Sequence, residues 1–234
     1  MRILLPIYLS APVWISAIIG TLFTFKLIDT IMLAIVSESV VVFSLFLSYK
    51  LPFELFRKLI HISGIMLILY ALYLGVSTSI LLSIIGMIFF LSVPVYLVPN
   101  KFPNLIRKLA LKSVRYQENS IRCVTHFLFA VLLMLLFIPY NFIILGLIIS
   151  LFGDPIAFIV GHHHGRIKIV RDKTLEGSVA FFALVYTVLL LLTQDMYIAL
   201  LGASSGSVIE HITGKYIDDN ASVPIVTSFL LMII

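Results

Sequence analysis

The stretch from Gly153 to Ser178 holds the residues best suited to chemistry, with the sequence GDPIAFIVGHHHGRIKIVRDKTLEGS. Asp154 lies several residues inside an apolar run, where a carboxylate is costly and by default functional. Asp followed by Pro155 is also typical of a helix start, with Asp as the N-cap. We therefore expect the helix to break at Gly153 and restart at Pro155, where protein or water satisfies the exposed backbone. A helix cap alone is the alternative role for Asp154.

The second half of this stretch has the composition of a phosphate site. A lysine precedes a helix start, where free backbone N–H groups and the positive end of the helix dipole favour anions. The residues expected to bind phosphate are Gly161, Gly165, Lys173, Thr174, Glu176, Gly177 and Ser178. The first two glycines would allow close backbone approach, and Glu176 would hold Mg²⁺ or cap the helix. The alternative is a basic loop beside lipid headgroups.

Two further clusters lie near other predicted helix ends. Arg57, Lys58 and His61 share one helix face, since residues three and four apart are neighbours, and they suit phosphate binding or ordinary anchoring by positive residues. Acidic residues near the C-terminus are good Mg²⁺ partners, with a solvated turn as the alternative. This second cluster consists of Glu210, Asp218, Asp219 and Asn220.

Three weaker signals remain. Glu38 falls in the middle of an apolar segment, where it would line an interior cavity or form a buried hydrogen bond. Glu118 falls in the longest predicted cytoplasmic loop, for which a surface helix is the alternative. A zinc site at His162–His164 is not expected, because consecutive residues on a helix point in different directions.

The elements that position these residues are predicted to be membrane helices. Hydrophobic residues make up 61% of the chain and charged residues 12%, about half the charged share of a soluble domain. Apolar runs of roughly the length needed to span a bilayer occur at about residues 4–25, 30–49, 60–76, 79–98, 122–139, 142–161, 177–193, 196–214 and 221–234. We expect one all-α domain, residues 1–234, forming a polytopic membrane helix bundle of about eight or nine transmembrane helices.

The basic residues predict the orientation of this bundle. Of the 16 Lys and Arg residues, all except Lys26 fall on one predicted side, and positive residues stay cytoplasmic. The net charge of +5 does not indicate nucleic acid, because the basic residues punctuate apolar runs and form no stripe. We expect an integral membrane protein with a cytoplasmic active face, in the cell membrane of a prokaryote or the endoplasmic reticulum of a eukaryote.

Three motifs together resemble the CTP-dependent polyprenol kinase family, which contains dolichol kinase, phytol kinase and the CTP-dependent diacylglycerol kinase. They are RKLIH at 57–61, GDPIAFIVG followed by G and KTLEGS at 153–178, and an E-then-DDNxxxP pattern at 210–224. The middle motif is also similar to the phosphatidate cytidylyltransferases, whereas the first and last favour the kinases. The chain departs from the family pattern at Pro155, at His162 and His163, and at Ala221 and Ser222.

The resemblance implies transfer of the CTP γ-phosphoryl group to a long-chain isoprenoid alcohol of the polyprenol, phytol or geranylgeraniol type. It implies Mg²⁺ as the metal, bound by Asp154, Asp218, Asp219 or Glu210, and phosphates bound by Lys173, Arg57 and Lys58. One of the carboxylates or His61 would accept the alcohol proton, and the choice between them stays open. The alternatives are a cytidylyltransferase that makes a CDP-lipid, and a transporter in which Glu38 and Asp154 line a pathway. Oligomeric state is not indicated.

Overall fold

The computed structural model describes residues 53–73, 75–97, 120–170, 173–213 and 218–233 of the chain, and these residues are mostly helical. The helices are α1 Phe53–Tyr73, α2 Thr78–Leu97, α3 Ser120–Phe137, α4 Tyr140–His164, α5 Leu175–Thr193, α6 Met196–Ile212 and α7 Asp219–Ile233. Two short strands, β1 Lys168–Val170 and β2 Lys173–Thr174, lie between α4 and α5. The chain divides into two compact units, Met1–Leu128 and Phe129–Ile234.

The predicted helical fold class is confirmed for the described part of the chain. Each of the seven predicted helices from residue 60 onward corresponds to one of α1 to α7. The first two predicted helices, at about residues 4–25 and 30–49, lie outside the described residues. Among the described helices, α4 and α5 are long and apolar enough to cross a membrane. The larger count of transmembrane helices stays a prediction, as does the single domain.

In the N-terminal unit, α1 and α2 each contact α3: His61 of α1 packs edge-on against Phe127, and Ser92 of α2 accepts a hydrogen bond from Thr125 Oγ1 at 3.0 Å. Ile65 and Leu72 of α1 are buried, and so is Ile85 of α2. The turn between α1 and α2 contains Gly75, whose φ of 74° is the left-handed conformation that glycine adopts without strain. Its N–H donates to the carbonyl of Leu72 at 3.0 Å, which ends α1.

The C-terminal unit packs α4, α5, α6 and α7 around a core that includes Phe181, Leu189 and Ala203. Helical periodicity continues each buried face toward one end of the unit. On α6 the buried stripe runs from Ala199, Gly202, Ala203 and Gly206 to Glu210, at the spacing of one helix face. On α4 the buried residues run in the same way from Ile143 to Asp154 and Ala157. The helical periodicity that places apolar residues in the core therefore also buries the carboxylates of Asp154 and Glu210.

The predicted break near Gly153, Asp154 and Pro155 is wrong, because α4 is continuous from Tyr140 to His164 with Pro155 inside it. Pro155 lacks the N–H that would donate to Leu151, which removes one backbone hydrogen bond. α4 packs against α5, α6 and α7, and contacts of this kind allow a helix to tolerate an internal proline. Asp154 is therefore an interior helix residue, and the role of N-cap predicted as its alternative is excluded.

The strand pair was not expected from the sequence, which indicated a basic loop. Strand β1 pairs antiparallel with β2, with Lys168 opposite Thr174 and Val170 opposite Lys173. The alternation Ile167-Lys168-Ile169-Val170 is a strand signal, but it is too short to stand out in a helical protein. The predicted helix start directly after it is confirmed. Thr174 is the N-cap of α5 and accepts a hydrogen bond from the Gly177 N–H at 3.2 Å.

Candidate functional site

Three carboxylates from three helices meet at one end of the C-terminal unit. They belong to Asp154 on α4, Glu210 on α6 and Asp219 at the start of α7, and one oxygen of each lies within 4.8 Å of the others. Asp154 is 5% exposed and Glu210 is 6% exposed. We call these three residues the acidic cluster. Among the described residues, it is the only group of His, Cys, Asp and Glu side chains with the spacing of a metal site.

Lys173 at the start of β2 contacts two members of the acidic cluster. Its Nζ lies 2.7 Å from Glu210 Oε1 and 3.2 Å from Asp219 Oδ2. It also donates a hydrogen bond to the main-chain carbonyl of Glu210. Burial alone would lower the pKa of Lys173, but the charges of Asp219 and Glu210 outweigh burial and raise that pKa above its usual value. Lys173 is therefore a cation at neutral pH.

The acidic cluster fits a hard divalent cation. Its donors are carboxylate oxygens, the ligands that Mg²⁺ and Ca²⁺ prefer, and opposite oxygens around Mg²⁺ lie about 4.2 Å apart, near the 4.8 Å within which the cluster's oxygens lie. With the Lys173 ammonium included, the four side chains carry two net negative charges when all are ionised, an arrangement that is costly in a buried site without a further cation. Because Lys173 touches two of the carboxylates, such a cation would share them with the ammonium or displace it.

Asp218 and Asn220 lie beside the acidic cluster but have a different local role. Asp218 Oδ1 accepts hydrogen bonds from the Asn220 backbone N–H at 3.0 Å and from Asn220 Nδ2 at 2.7 Å. The Asp218 carbonyl accepts from the N–H groups of Ala221 and Ser222, which begins α7. The structure thus brings together Asp154, Glu210 and Asp219 of the four predicted metal ligands, whereas Asp218 caps a helix.

The predicted phosphate-binding glycines allow α4 to approach the start of α5. A Cβ at Gly161 would lie 3.0 Å from Thr174 Oγ1, and one at Gly177 would lie 2.8 Å from the carbonyl oxygen of Ala157. A Cβ at Gly165 would overlap the carbonyl of Gly161. The predicted close backbone approach is therefore confirmed, and it is made between two parts of this chain. Phosphate binding by these residues stays a prediction.

Glu176 was expected to hold Mg²⁺ or to cap a helix. It is not a member of the acidic cluster, and its carboxylate accepts from its own backbone N–H in the first turn of α5. Its two carboxylate oxygens accept hydrogen bonds from the Ile167 N–H at 3.2 and 3.3 Å. The Leu175 N–H donates in return to the Ile167 carbonyl at 2.9 Å. These bonds tie the segment before β1 to the first turn of α5, so that Glu176 fixes the strand pair that carries Lys173.

A hydrogen bond between Ser178 and His211 was missed by the sequence analysis. Ser178 Oγ lies 2.9 Å from His211 Nδ1 and donates to the Thr174 carbonyl at 3.3 Å. The other ring nitrogen, Nε2, is buried and has no hydrogen-bond partner among the described residues. This bond joins the first turn of α5 to the last turn of α6, one residue beyond Glu210. The position of Ser178 at a helix start had predicted phosphate binding. Its pairing with His211, 33 residues further along the chain, cannot be read from a local sequence pattern.

The remaining predicted site residues are not among the members of the acidic cluster. Arg57, Lys58 and His61 are on α1 in the N-terminal unit, where buried His61 packs edge-on against Phe127 with ring centroids 4.7 Å apart. Their part in the site stays a prediction. Glu38 and Glu118 lie outside the described residues. His162–His164 are exposed in the last turn of α4 and are not part of the acidic cluster.

Comparison with protein-family models, curated proteins and solved structures finds no match to this chain. The features of the chain that indicate a function are therefore the acidic cluster, Lys173 and the motifs that supply them.

Proposed function

We propose that this protein is an integral membrane kinase that transfers the γ-phosphoryl group of CTP to a long-chain isoprenoid alcohol, with Mg²⁺ as cofactor. The observation that carries the proposal is the convergence of Asp154, Glu210 and Asp219 in one cluster, two of whose carboxylates contact Lys173 just before α5. Each of these residues belongs to a motif that resembles the polyprenol kinases. The cluster combines buried metal-binding oxygens with a cation beside a helix N-terminus.

The membrane placement follows from the apolar helices. α4 and α5 are long and apolar enough to cross a bilayer, and large apolar side chains on them are exposed, among them Ile159 and Leu191. Exposed apolar side chains of this size suit contact with acyl chains. We propose eight or nine transmembrane helices in all, with the acidic cluster at the cytoplasmic face, where nucleotide and lipid alcohol can meet.

For phosphoryl transfer, the protein mainly has to position the two substrates and neutralise the charge of the phosphates. Asp154, Glu210 and Asp219 would hold Mg²⁺, which when bound neutralises charge on the triphosphate. Lys173 would bind the phosphates, with Arg57 and Lys58 as further cations. The alcohol oxygen forms a bond to the γ-phosphorus while the bond to the β-phosphate oxygen breaks, so that CDP leaves. A carboxylate of the cluster or His61 would accept the alcohol proton.

The test is the fate of the γ-phosphate. Purified protein in lipid vesicles is incubated with Mg²⁺, CTP labelled in its γ-phosphate and a panel of isoprenoid alcohols. We expect label in a lipid monophosphate together with unlabelled CDP, a strict need for Mg²⁺, and far less transfer from ATP than from CTP. Labelled pyrophosphate with a CDP-lipid, made when phosphatidate is supplied, would instead indicate a cytidylyltransferase. Solute flux without nucleotide would indicate a transporter.

A further inference from the structure

The strand pair between α4 and α5 exposes apolar side chains that the rest of the described C-terminal unit does not cover. Ile167 is 56% exposed, Ile169 is 50% exposed and Val170 is 38% exposed. Basic residues alternate with them, since Arg166 and Lys168 are also exposed. A short segment that combines large apolar and basic side chains in this way has the composition of an interfacial membrane anchor.

The position of the segment is fixed by its neighbours. It follows His164 at the end of α4 and precedes Leu175 at the start of α5. Among the helices that the structure describes, these two are long and apolar enough to cross a membrane. A connection this short between two membrane-crossing helices has to stay near the bilayer surface, at the depth of the lipid headgroups. On the proposed topology, that surface is the cytoplasmic one.

The segment is also held in place by its own hydrogen bonds. Its antiparallel pairing sets Lys168 opposite Thr174. Both backbone polar groups of Ile167 are hydrogen-bonded, since its N–H donates to Glu176 and its carbonyl accepts from the Leu175 N–H. The exposed apolar side chains are therefore presented by an ordered element, and β2 of that element begins with Lys173 of the site.

We propose that this strand pair inserts Ile167, Ile169 and Val170 into the headgroup layer of a bilayer that contains anionic phospholipid. Arg166 and Lys168 pair with the anionic headgroups there, because basic side chains beside a membrane are attracted by its negative surface potential. The insertion holds Lys173 at the depth where a lipid alcohol presents its hydroxyl group. The inference rests on the proposed membrane crossing of α4 and α5, and it does not depend on the phosphoryl transfer.

The test uses a fluorophore that reports membrane depth. Cys123, the one natural cysteine, is replaced by alanine, and single cysteines are introduced by Ile169→Cys, Asn141→Cys and Ala183→Cys, all at exposed positions. Each is labelled with a polarity-sensitive dye, and the protein is reconstituted in vesicles of phosphatidylcholine alone or with phosphatidylglycerol. Lipids with a nitroxide at a shallow or a deep acyl position serve as quenchers. Position 141 is the polar control at the other end of α4, and position 183 reports membrane crossing by α5.

We expect the shallow nitroxide to quench the dye at position 169 about fivefold more than the dye at position 141. Phosphatidylglycerol should increase this difference, and both high salt and Lys168→Gln should reduce the increase. Quenching at position 183 with equal signals at 169 and 141 would overturn the anchor while leaving the membrane crossing intact. Shielding of position 169 that depends on protein density, and not on phosphatidylglycerol, would also overturn it, since a second copy would then cover the strands. No quenching at position 183 would contradict the proposed membrane crossing itself.

Discussion

At the residue scale, the ammonium group of Lys173 offsets one of the negative charges of the acidic cluster and contacts both Glu210 and Asp219. Replacement by Lys173→Met keeps most of the side-chain volume but leaves buried carboxylates without their cation. Removing one partner of a buried ion pair typically costs about 3–5 kcal/mol. We expect a clearly lower thermal unfolding temperature in detergent, partly restored by Mg²⁺, which binds only the folded cluster.

The matched control for this variant is Lys168→Met, in the exposed strand of the same pair. It should leave the unfolding temperature in detergent unchanged within error, since exposed charges contribute little to stability. If both lysine variants unfold at the same temperature, with and without Mg²⁺, the ammonium of Lys173 is not what balances the cluster.

The raised pKa of Lys173 gives a pH dependence with a definite sign. Burial lowers that pKa, but the charges of Asp219 and Glu210 together raise it by more than burial lowers it. A group whose pKa is higher in the folded state stabilises fully below its unfolded pKa, about 10.4 for lysine, and loses that contribution as pH rises through the folded value. The difference in unfolding free energy between wild type and Lys173→Met should not shrink between about pH 7 and 9, and should shrink only above about pH 10.4. A difference that shrinks already near neutral pH would mean that burial dominates.

At the element scale, the close packing of α4 on α5 depends on Gly153 of α4, which leaves room for the ring of Phe181 of α5. A Cβ at Gly153 would overlap the ring of Phe181, which is fully buried in the core. Gly153→Ala should therefore destabilise the protein by about 1–3 kcal/mol. In a Phe181→Leu background, which makes room at the same place, the cost of Gly153→Ala should fall, and the two changes should couple by about 0.5–3 kcal/mol.

A different glycine supplies the control for this double-mutant cycle. Among the residues that the structure describes, a Cβ at Gly64 of α1 would meet only Phe127 Cε1, at an ordinary 3.7 Å. Gly64→Ala should be neutral or stabilising by up to about 1 kcal/mol, because alanine favours the helix. Strictly additive effects of Gly153→Ala and Phe181→Leu on the unfolding free energy would show that the two residues do not compete for the same space.

The helices were predictable from the sequence, and their local irregularities were not. Apolar runs of bilayer length located α1 to α7 to within a few residues, except that α1 begins at Phe53 and not near residue 60. The pair Asp154-Pro155 suggested a helix restart because local rules favour it, but packing with neighbouring helices keeps α4 continuous. The strands were missed because β1 and β2 are three and two residues long, too short for a periodic pattern to be distinctive.

At the scale of the whole molecule, the acidic residues of the site were predictable from the sequence, but which of them lie close together was not. Asp218 and Asp219 are adjacent, and both were predicted to bind metal. Only Asp219 reaches the acidic cluster, because Asp218 is used to cap α7. That choice depends on how α4, α6 and α7 pack together, which is set by tertiary contacts. The pairing of His211 with Ser178 escaped prediction for the same reason.

The proposed membrane crossing predicts a sidedness for the two ends of α5. Its 19 residues span about 28 Å, close to the thickness of the hydrocarbon layer. A cysteine at Lys168 should react with an impermeant maleimide from the cytoplasmic side, and one at Gln194 from the opposite side. Reaction of both positions from the same side of sealed vesicles would show that α5 does not cross the membrane.

The central claim is that the carboxylate of Asp154 takes part in phosphoryl transfer, and Asp154→Asn tests it most directly. Asparagine has the same shape, and Asp154 is inside α4 and caps no helix. The matched control is Asp195→Asn at the N-cap of α6, where Asp195 accepts from the N–H groups of Tyr197 and Ile198 and asparagine caps nearly as well.

The measurement is turnover of γ-labelled CTP with a lipid alcohol and saturating Mg²⁺, on protein shown by its unfolding temperature to be folded. We predict that Asp154→Asn lowers turnover about a hundredfold or more, because the lost charge is one that stabilises the transition state. Asp195→Asn should keep near-normal turnover. Near-normal turnover in Asp154→Asn would contradict the account, and the metal would then have to be bound by Glu210 and Asp219 without Asp154.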